Sequence, residues 1–222
     1  MNRPPIVQPQ LAPVTSIDDH LPAVPASGLT AEAIRARLAS QAGWSPEFPG
    51  DGGIFANREP AGAAVLVPLV QHADGLTLLL TRRTDHLRDH AGQISFPGGR
   101  VEPEDDGPVA TALRETEEEI GLSRERIRTL GFLDAYLTGT GYRIVPVVAL
   151  IEPPFSLAIN HHEVDEAFET PLSFLLDPAN HKREGREWKG HFRTYYAMPF
   201  EGRYIWGATA GMIRNLYERL AG

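Results

Sequence analysis

The chain of 222 residues contains no cysteine. Disulfide cross-links and thiolate chemistry are therefore excluded, and a reducing, cytoplasmic setting is compatible with the absence. No run of about 18 apolar residues occurs either, so no helix is expected to cross a membrane. An excess of positive charge is also missing: 21 Lys and Arg against 29 Asp and Glu leave a net charge of −8. Nucleic-acid binding needs a basic footprint. An anionic small molecule remains compatible where a cation or local arginines offset the acids. Met1 to Pro25 carries one arginine and many prolines but no long apolar run, which does not read as a secretory signal.

What is present is ordinary for a soluble globular protein: 42% hydrophobic and 23% charged residues. The length suits one domain, or one domain with an extension. Residues 1–28 are rich in proline and poor in apolar periodicity, so they are expected to form a flexible arm. The sharper alternative is an arm packed on a second copy of the chain in a homodimer. Residues 29–59 read as a short helix and a loop, with Thr30 as the N-cap and Ile34 and Leu38 on one face. The main domain is expected over 60–222.

Within that domain, Ala63–Val70 and Leu76–Arg82 read as a hairpin turning at His72–Gly75, and Ile94–Phe96 as a short strand. A helix should begin at Asp106–Pro108, with Asp106 as its cap, and stop at Gly121. Strands are expected at Ile127–Tyr136, Tyr142–Ile151 and Phe192–Met198. An acidic loop is expected at His161–Glu169, and a closing helix at Thr209–Leu220. Mixed strands with two or three helices suggest an α/β (α+β) domain, a sheet with helices packed outside it.

The helix after Asp106 carries Glu115, Glu117, Glu118 and Glu119. Like charges at i and i+4 repel by about 0.2–0.5 kcal/mol per pair. Glu115, Glu118 and Glu119 lie at i, i+3 and i+4, which sets three carboxylates on one face with Cβ atoms about 5–6 Å apart. A hard divalent cation such as Mg²⁺ or Mn²⁺ would hold such a group together and bridge it to substrate phosphates. The alternative is a solvated acidic face paired with arginines. Arg114 can hold Glu118 through its planar fork. Asp105 either bridges within the loop or touches a metal through water.

The segment from Gly98-Gly99 through Arg114-Glu115, Glu118-Glu119 and Gly121-Leu122 resembles the Nudix box, G-x5-E-x7-R-E-U-x-E-E-x-G-U. It departs from that pattern in three places. Asp105 stands where the pattern has Glu, the gap to Arg114 is eight residues, and Thr116 replaces an aliphatic residue. Upstream, Leu78 to Pro97 resembles the signature of the coenzyme A pyrophosphatase branch of the Nudix hydrolases, with Thr84 in place of Ser. That branch shares the aspartate and the longer gap. A weaker likeness continues in Ile205–Ala210.

The resemblance implies a Nudix-type mixed sheet sandwiched between helices, with the box as loop–helix–loop. It implies metal ligation by Glu115, Glu118, Glu119 and the Gly99 carbonyl, with water attacking a diphosphate. It also implies a carboxylate base: Glu163 first, Glu166 second, with an acidic surface loop as the plain alternative. Arg82, Arg83, Arg88 and His90 are candidate substrate contacts. Tyr136 and Tyr142 could stack on adenine, although strand aromatics usually belong to the core.

The expected reaction is hydrolysis of coenzyme A or an acyl derivative to phosphopantetheine and adenosine 3′,5′-bisphosphate. The alternatives are a broader pyrophosphatase acting on ADP-ribose, NADH or nucleoside triphosphates, and a catalytically silent nucleotide-binding module. The intact glutamates speak against the last.

Overall fold

The computed structural model describes residues 9–40, 45–51, 59–87, 90–188 and 191–222. In chain order the elements begin with β1 (Val14–Ile17), α1 (Ala31–Ala39), β2 (Ala61–His72), β3 (Gly75–Arg83), β4 (Ile94–Ser95) and β5 (Gly98–Arg100). Then come α2 (Gly107–Ile120), β6 (Ile127–Phe132), β7 (Tyr136–Leu137), β8 (Tyr142–Ile151), β9 (Val164–Pro171) and α3 (Leu172–Leu175). The chain closes with β10 (Lys182–Trp188), β11 (His191–Phe200), β12 (Arg203–Trp206) and α4 (Gly207–Ala221).

The larger sheet is mixed. Its spine runs β4-β3-β2-β8-β6, with β5 on β2, β7 on β8 and β9 on β3. β2 and β8 pair in parallel from Ala61↔Tyr142 to Val70↔Ile151. Both strands are apolar nearly throughout because this sheet is covered on both faces. Val65, Val67 and Leu69 enter the main core with α1, α4 and the second sheet. Ala64, Leu66 and Val70 face the α2 side instead. A smaller antiparallel sheet, β1-β10-β11-β12, completes the fold. Among the described residues no helix is long and apolar enough to cross a membrane.

Local signals act as expected in several places. The Thr30 side chain accepts the Ala33 N–H at 3.2 Å and starts α1. Gly121 ends α2 in the left-handed region, at φ 66°. There Ala158 crowds the place a Cβ would take, so glycine answers both constraints.

Four expectations need correction. The Asp106 side chain makes no capping hydrogen bond; the neighbouring Asp105 carboxylate is the one tied into the helix, accepting from Thr111 Oγ1 at 2.9 Å. The strand expected over Ile127–Tyr136 is broken into β6 and β7. The acidic stretch His161–Glu169 is a loop only at its start: from Val164 it is β9, paired with β3 from Thr77↔Pro171 to Arg83↔Val164. Its charged residues share the strand with buried Val164, Phe168 and Thr170, so burial alternates in part under a polar composition.

The fourth concerns residues 1–28, whose described part, 9–28, is packed. β1 pairs with β10, Val24 is buried in the main core, and Asp18 is buried against Arg214 at 3.0 Å. These anchors are polar or isolated along the chain, Asp18 alone meeting Arg214, Arg183 and Tyr196, so they produce no periodic apolar pattern.

Candidate active site

The glycine loop and α2 build the site. β5 pairs with β2 through Ala64↔Gly99 and Val65↔Gly98. This lays the two glycines across the first half of β2, beneath α2. A Cβ on Gly99 would run into the Glu115 carboxylate, so any other residue here would push that side chain out of its present place. The Gly98 N–H donates to Glu119 Oε2 at 3.2 Å. Thr116 occupies the aliphatic position of the box fully buried, because its hydroxyl donates to the Ala112 carbonyl at 2.6 Å.

Glu119 is 4% exposed. Burial pushes its carboxyl up to about 8, against the pull of the Gly98 N–H and of Arg83; Glu115 and Glu163 push it further upward. Glu115 is also raised, first by burial, with Glu118 and Glu163 adding to it and Arg114 opposing. A buried carboxylate held this way favours a proton or a cation. Glu118 is more than half exposed and Glu117 turns away to Arg124 at 2.6 Å.

Arg114 is the organiser of the loop. Its Nε and Nη2 fork onto Asp105 at 3.0 and 2.9 Å, and Nη2 also donates to the Arg100 carbonyl at 3.1 Å. Its Nη1 reaches Glu115 at 3.1 Å and Glu118 at 3.3 Å. The main partner is thus Asp105, with Glu118 secondary. The guanidinium hydrogen bonds hold the Asp105 carboxyl well below the usual range.

β3 sorts its two arginines to opposite faces. Arg82 is in phase with core residues Leu78 and Leu80 and sits away from α2. There it meets Asp165 and lies 3.7 Å from Glu166. Arg83 faces α2, with Nη1 at 3.6 Å from Glu119 Oε1; its buried Nε has no hydrogen-bond partner. Glu166 is bound by Arg203, whose guanidinium lies 4.3 Å from the centre of the Phe168 ring. Glu166 is therefore on the far face with Arg82, whereas the charge of Glu163 reaches both Glu115 and Glu119.

His90 is exposed, with φ 62°, and pairs its Nδ1 with Gln93 Oε1 at 2.8 Å. Arg88 lies outside the described residues. Tyr136 is fully buried and donates to Asp51 Oδ1 at 2.6 Å, which assigns it to the core. Tyr142 carries the Arg100 guanidinium 5.6 Å from its ring centre.

Residues 60–193 match the model of the NUDIX domain. The chain belongs to the Nudix family. Two curated relatives, both described as uncharacterized Nudix hydrolase NudL, come from Yersinia pestis (strain Pestoides F) and Yersinia pseudotuberculosis serotype O:1b (strain IP 31758). Each is 38% identical over 159 residues, covering 72% of this chain and 79% of the relative. The solved MutT protein of Methanosarcina mazei Go1 is 20% identical over 79% of this chain and 96% of its own, with a TM-score of 0.46.

As a Nudix hydrolase the protein acts on pyrophosphate bonds of small nucleotide-type molecules, and members of the family generally use divalent metal ions such as Mg²⁺ or Mn²⁺. The donor chemistry here fits such an ion: buried Glu119, half-buried Glu115 and the close approach of Gly99 offer oxygen alone. Among the described residues no three acidic or imidazole groups converge into a preassembled cage. Arg114 instead spans Glu115 and Glu118.

Proposed function

We propose that this Nudix hydrolase cleaves the diphosphate of coenzyme A or an acyl derivative, giving (acyl)phosphopantetheine and adenosine 3′,5′-bisphosphate. The observation that carries the proposal is Arg83. It lies in the upstream stretch whose likeness to the coenzyme A branch is most specific, and it faces α2 with a buried Nε unpaired. A guanidinium presented in this way suits an anionic phosphate oxygen.

Glu115, Glu118, Glu119 and the Gly99 carbonyl would hold Mg²⁺ or Mn²⁺, which when bound neutralises charge developing on the phosphates. Glu163 acts as the base. It takes a proton from water as the water oxygen bonds to phosphorus and the bridging P–O bond breaks. Glu166 is left out of this role because Arg203 and Arg82 occupy its carboxylate on the far face. Arg114 and Asp105 keep the glycine loop on the helix. Arg82, on that far face, ranks below Arg83 as a substrate contact, with Arg88 and His90 as further candidates. The absence of cysteine suits work in the cytoplasm.

The test is a substrate panel with Mg²⁺ and Mn²⁺, the products being identified by mass. Coenzyme A should show the highest kcat/KM among coenzyme A, dephospho-coenzyme A, ADP-ribose and NADH. Arg83→Ala should slow coenzyme A by about tenfold to a hundredfold more than dephospho-coenzyme A if Arg83 meets the 3′-phosphate. A clear preference for ADP-ribose or NADH would overturn the coenzyme A assignment and leave pyrophosphate hydrolysis standing.

A further inference from the structure

Glu163 is borne on a short turn, and what fixes that turn is visible. The C-terminal end of α2 and the segment after it are stitched together by two backbone bonds: the Ala158 N–H to the Ile120 carbonyl at 2.8 Å, and the Asn160 N–H to the Glu119 carbonyl at 2.9 Å. The second ties the turn directly to a residue of the carboxylate group. Asn160 then folds the turn on itself. Its carbonyl accepts the N–H groups of Glu163 and Val164, both at 2.9 Å, and its side-chain oxygen accepts the His162 N–H at 3.2 Å. That last bond is an Asx-turn, in which a short side chain stands in for backbone.

A second tether comes from the loop after β3. The Thr84 N–H donates to the Glu163 carbonyl at 3.0 Å, and its hydroxyl donates to the His162 carbonyl at 3.3 Å. Thr84 is buried, next in sequence to Arg83. The Glu163 turn is therefore clamped from two sides, by the helix that carries Glu115 and Glu119 and by the strand that carries Arg83.

We propose that Asn160 and Thr84 are positioning residues, which set the Glu163 carboxylate relative to the α2 glutamates through the Asn160 Asx-turn and the two Thr84 bonds. This rests on Glu163 as the base. Neither side chain touches substrate, and both act through Glu163. A misplacement of about 1 Å in a catalytic group can cost on the order of a hundredfold in rate, so loosening one tether is expected to lower kcat by about tenfold.

The test is a double-mutant cycle in the full chain, with coenzyme A and Mg²⁺. Thr84→Val keeps volume and removes the hydroxyl; Asn160→Ala removes the Asx-turn. Each should lower kcat by about tenfold with KM and melting temperature nearly unchanged. Thr84→Ser and Asn160→Ser, which retain a hydroxyl for the same bonds, should return most of the loss. In a Glu163→Gln background Thr84→Val and Asn160→Ala should cost nothing further, because the group they position is gone.

If the losses add in full in that background, or appear as KM and melting-temperature changes of equal size, the positioning role is refuted and the base assignment of Glu163 is untouched. Should Glu163→Gln alone retain wild-type turnover, the base assignment falls and the positioning role falls with it.

Discussion

Replacing Glu119 by Gln sets function against stability and gives a pH signature. The carboxyl is almost wholly buried, and its burial lifts it from the ordinary 4.5 to about 8. Between those values the folded protein keeps a proton that the unfolded chain releases. Stability from this group is therefore fully present below pH 4.5 and is lost as pH rises to about 8. Each unit is worth about 1.36 kcal/mol, so by pH 7 the deficit in metal-free protein approaches about 3 kcal/mol.

Gln keeps the acceptor for the Gly98 N–H and removes the charge. Arg83 loses its partner at 3.6 Å, but its pull on Glu119 is already contained in that deficit and offsets nothing further. For a chain of this size a gain of about 3 kcal/mol at pH 7 amounts to about 6–12 °C in melting temperature. The assay is thermal unfolding in EDTA from pH 4 to 8, for wild type and Glu119→Gln. The variant should be the more stable at pH 8, the two should converge near pH 4, and Mg²⁺ should raise the wild type alone. A variant no more stable than wild type at pH 8, or a gap independent of pH, would refute the reasoning.

Glu118→Gln should lower turnover by about tenfold to a thousandfold with an unchanged melting temperature, since the side chain is largely exposed and electrostatic contributions of this kind are worth a few kcal/mol; near wild-type turnover at saturating Mg²⁺ would remove it from the metal set. Asp105→Ala should release Arg114 from the loop and lower kcat by about tenfold, whereas Asp105→Asn should lose less, as steady-state kinetics would show. Removing residues 1–28 should lower the melting temperature by about 6 °C or more, because it strips Val24 from the core and takes Asp18 from buried Arg214; that arginine keeps Glu218 at 2.9 Å, so the cost falls at the lower end of the range for a broken buried pair, about 3–5 kcal/mol. A truncated chain that melts with the full one would show that the segment contributes nothing.

Several features were legible in the residues because short-range physics decides them. The spacing of Glu115, Glu118 and Glu119 follows from 3.6 residues per turn, wherever the helix packs. Thr30 caps α1 and Gly121 stops α2 through bonds and backbone angles that span a few positions. The β2–β3 hairpin turns where Ala73-Asp74-Gly75 permits it.

Tertiary contact decided the rest. Arg82 and Arg83 are adjacent and chemically alike, yet the pleat of β3 sends one to the Asp165–Glu166 side and the other to Glu119. Glu163 and Glu166 stand three residues apart in one acidic run. Pairing of β9 with β3 commits Glu166 to Arg203, while the turn tied to Asn160 and Thr84 holds Glu163 at the end of α2, where its charge reaches Glu115 and Glu119. Residues 9–28 carry no periodic signal because their anchors, the Asp18 ion pair with Arg214 and the Val24 N–H bond to the Leu176 carbonyl, are made by partners more than 100 residues away in the chain. Spacing and capping obey local geometry and can be read from residue order; the direction in which a strand points its side chains, and what awaits them there, depends on which distant strand it pairs with.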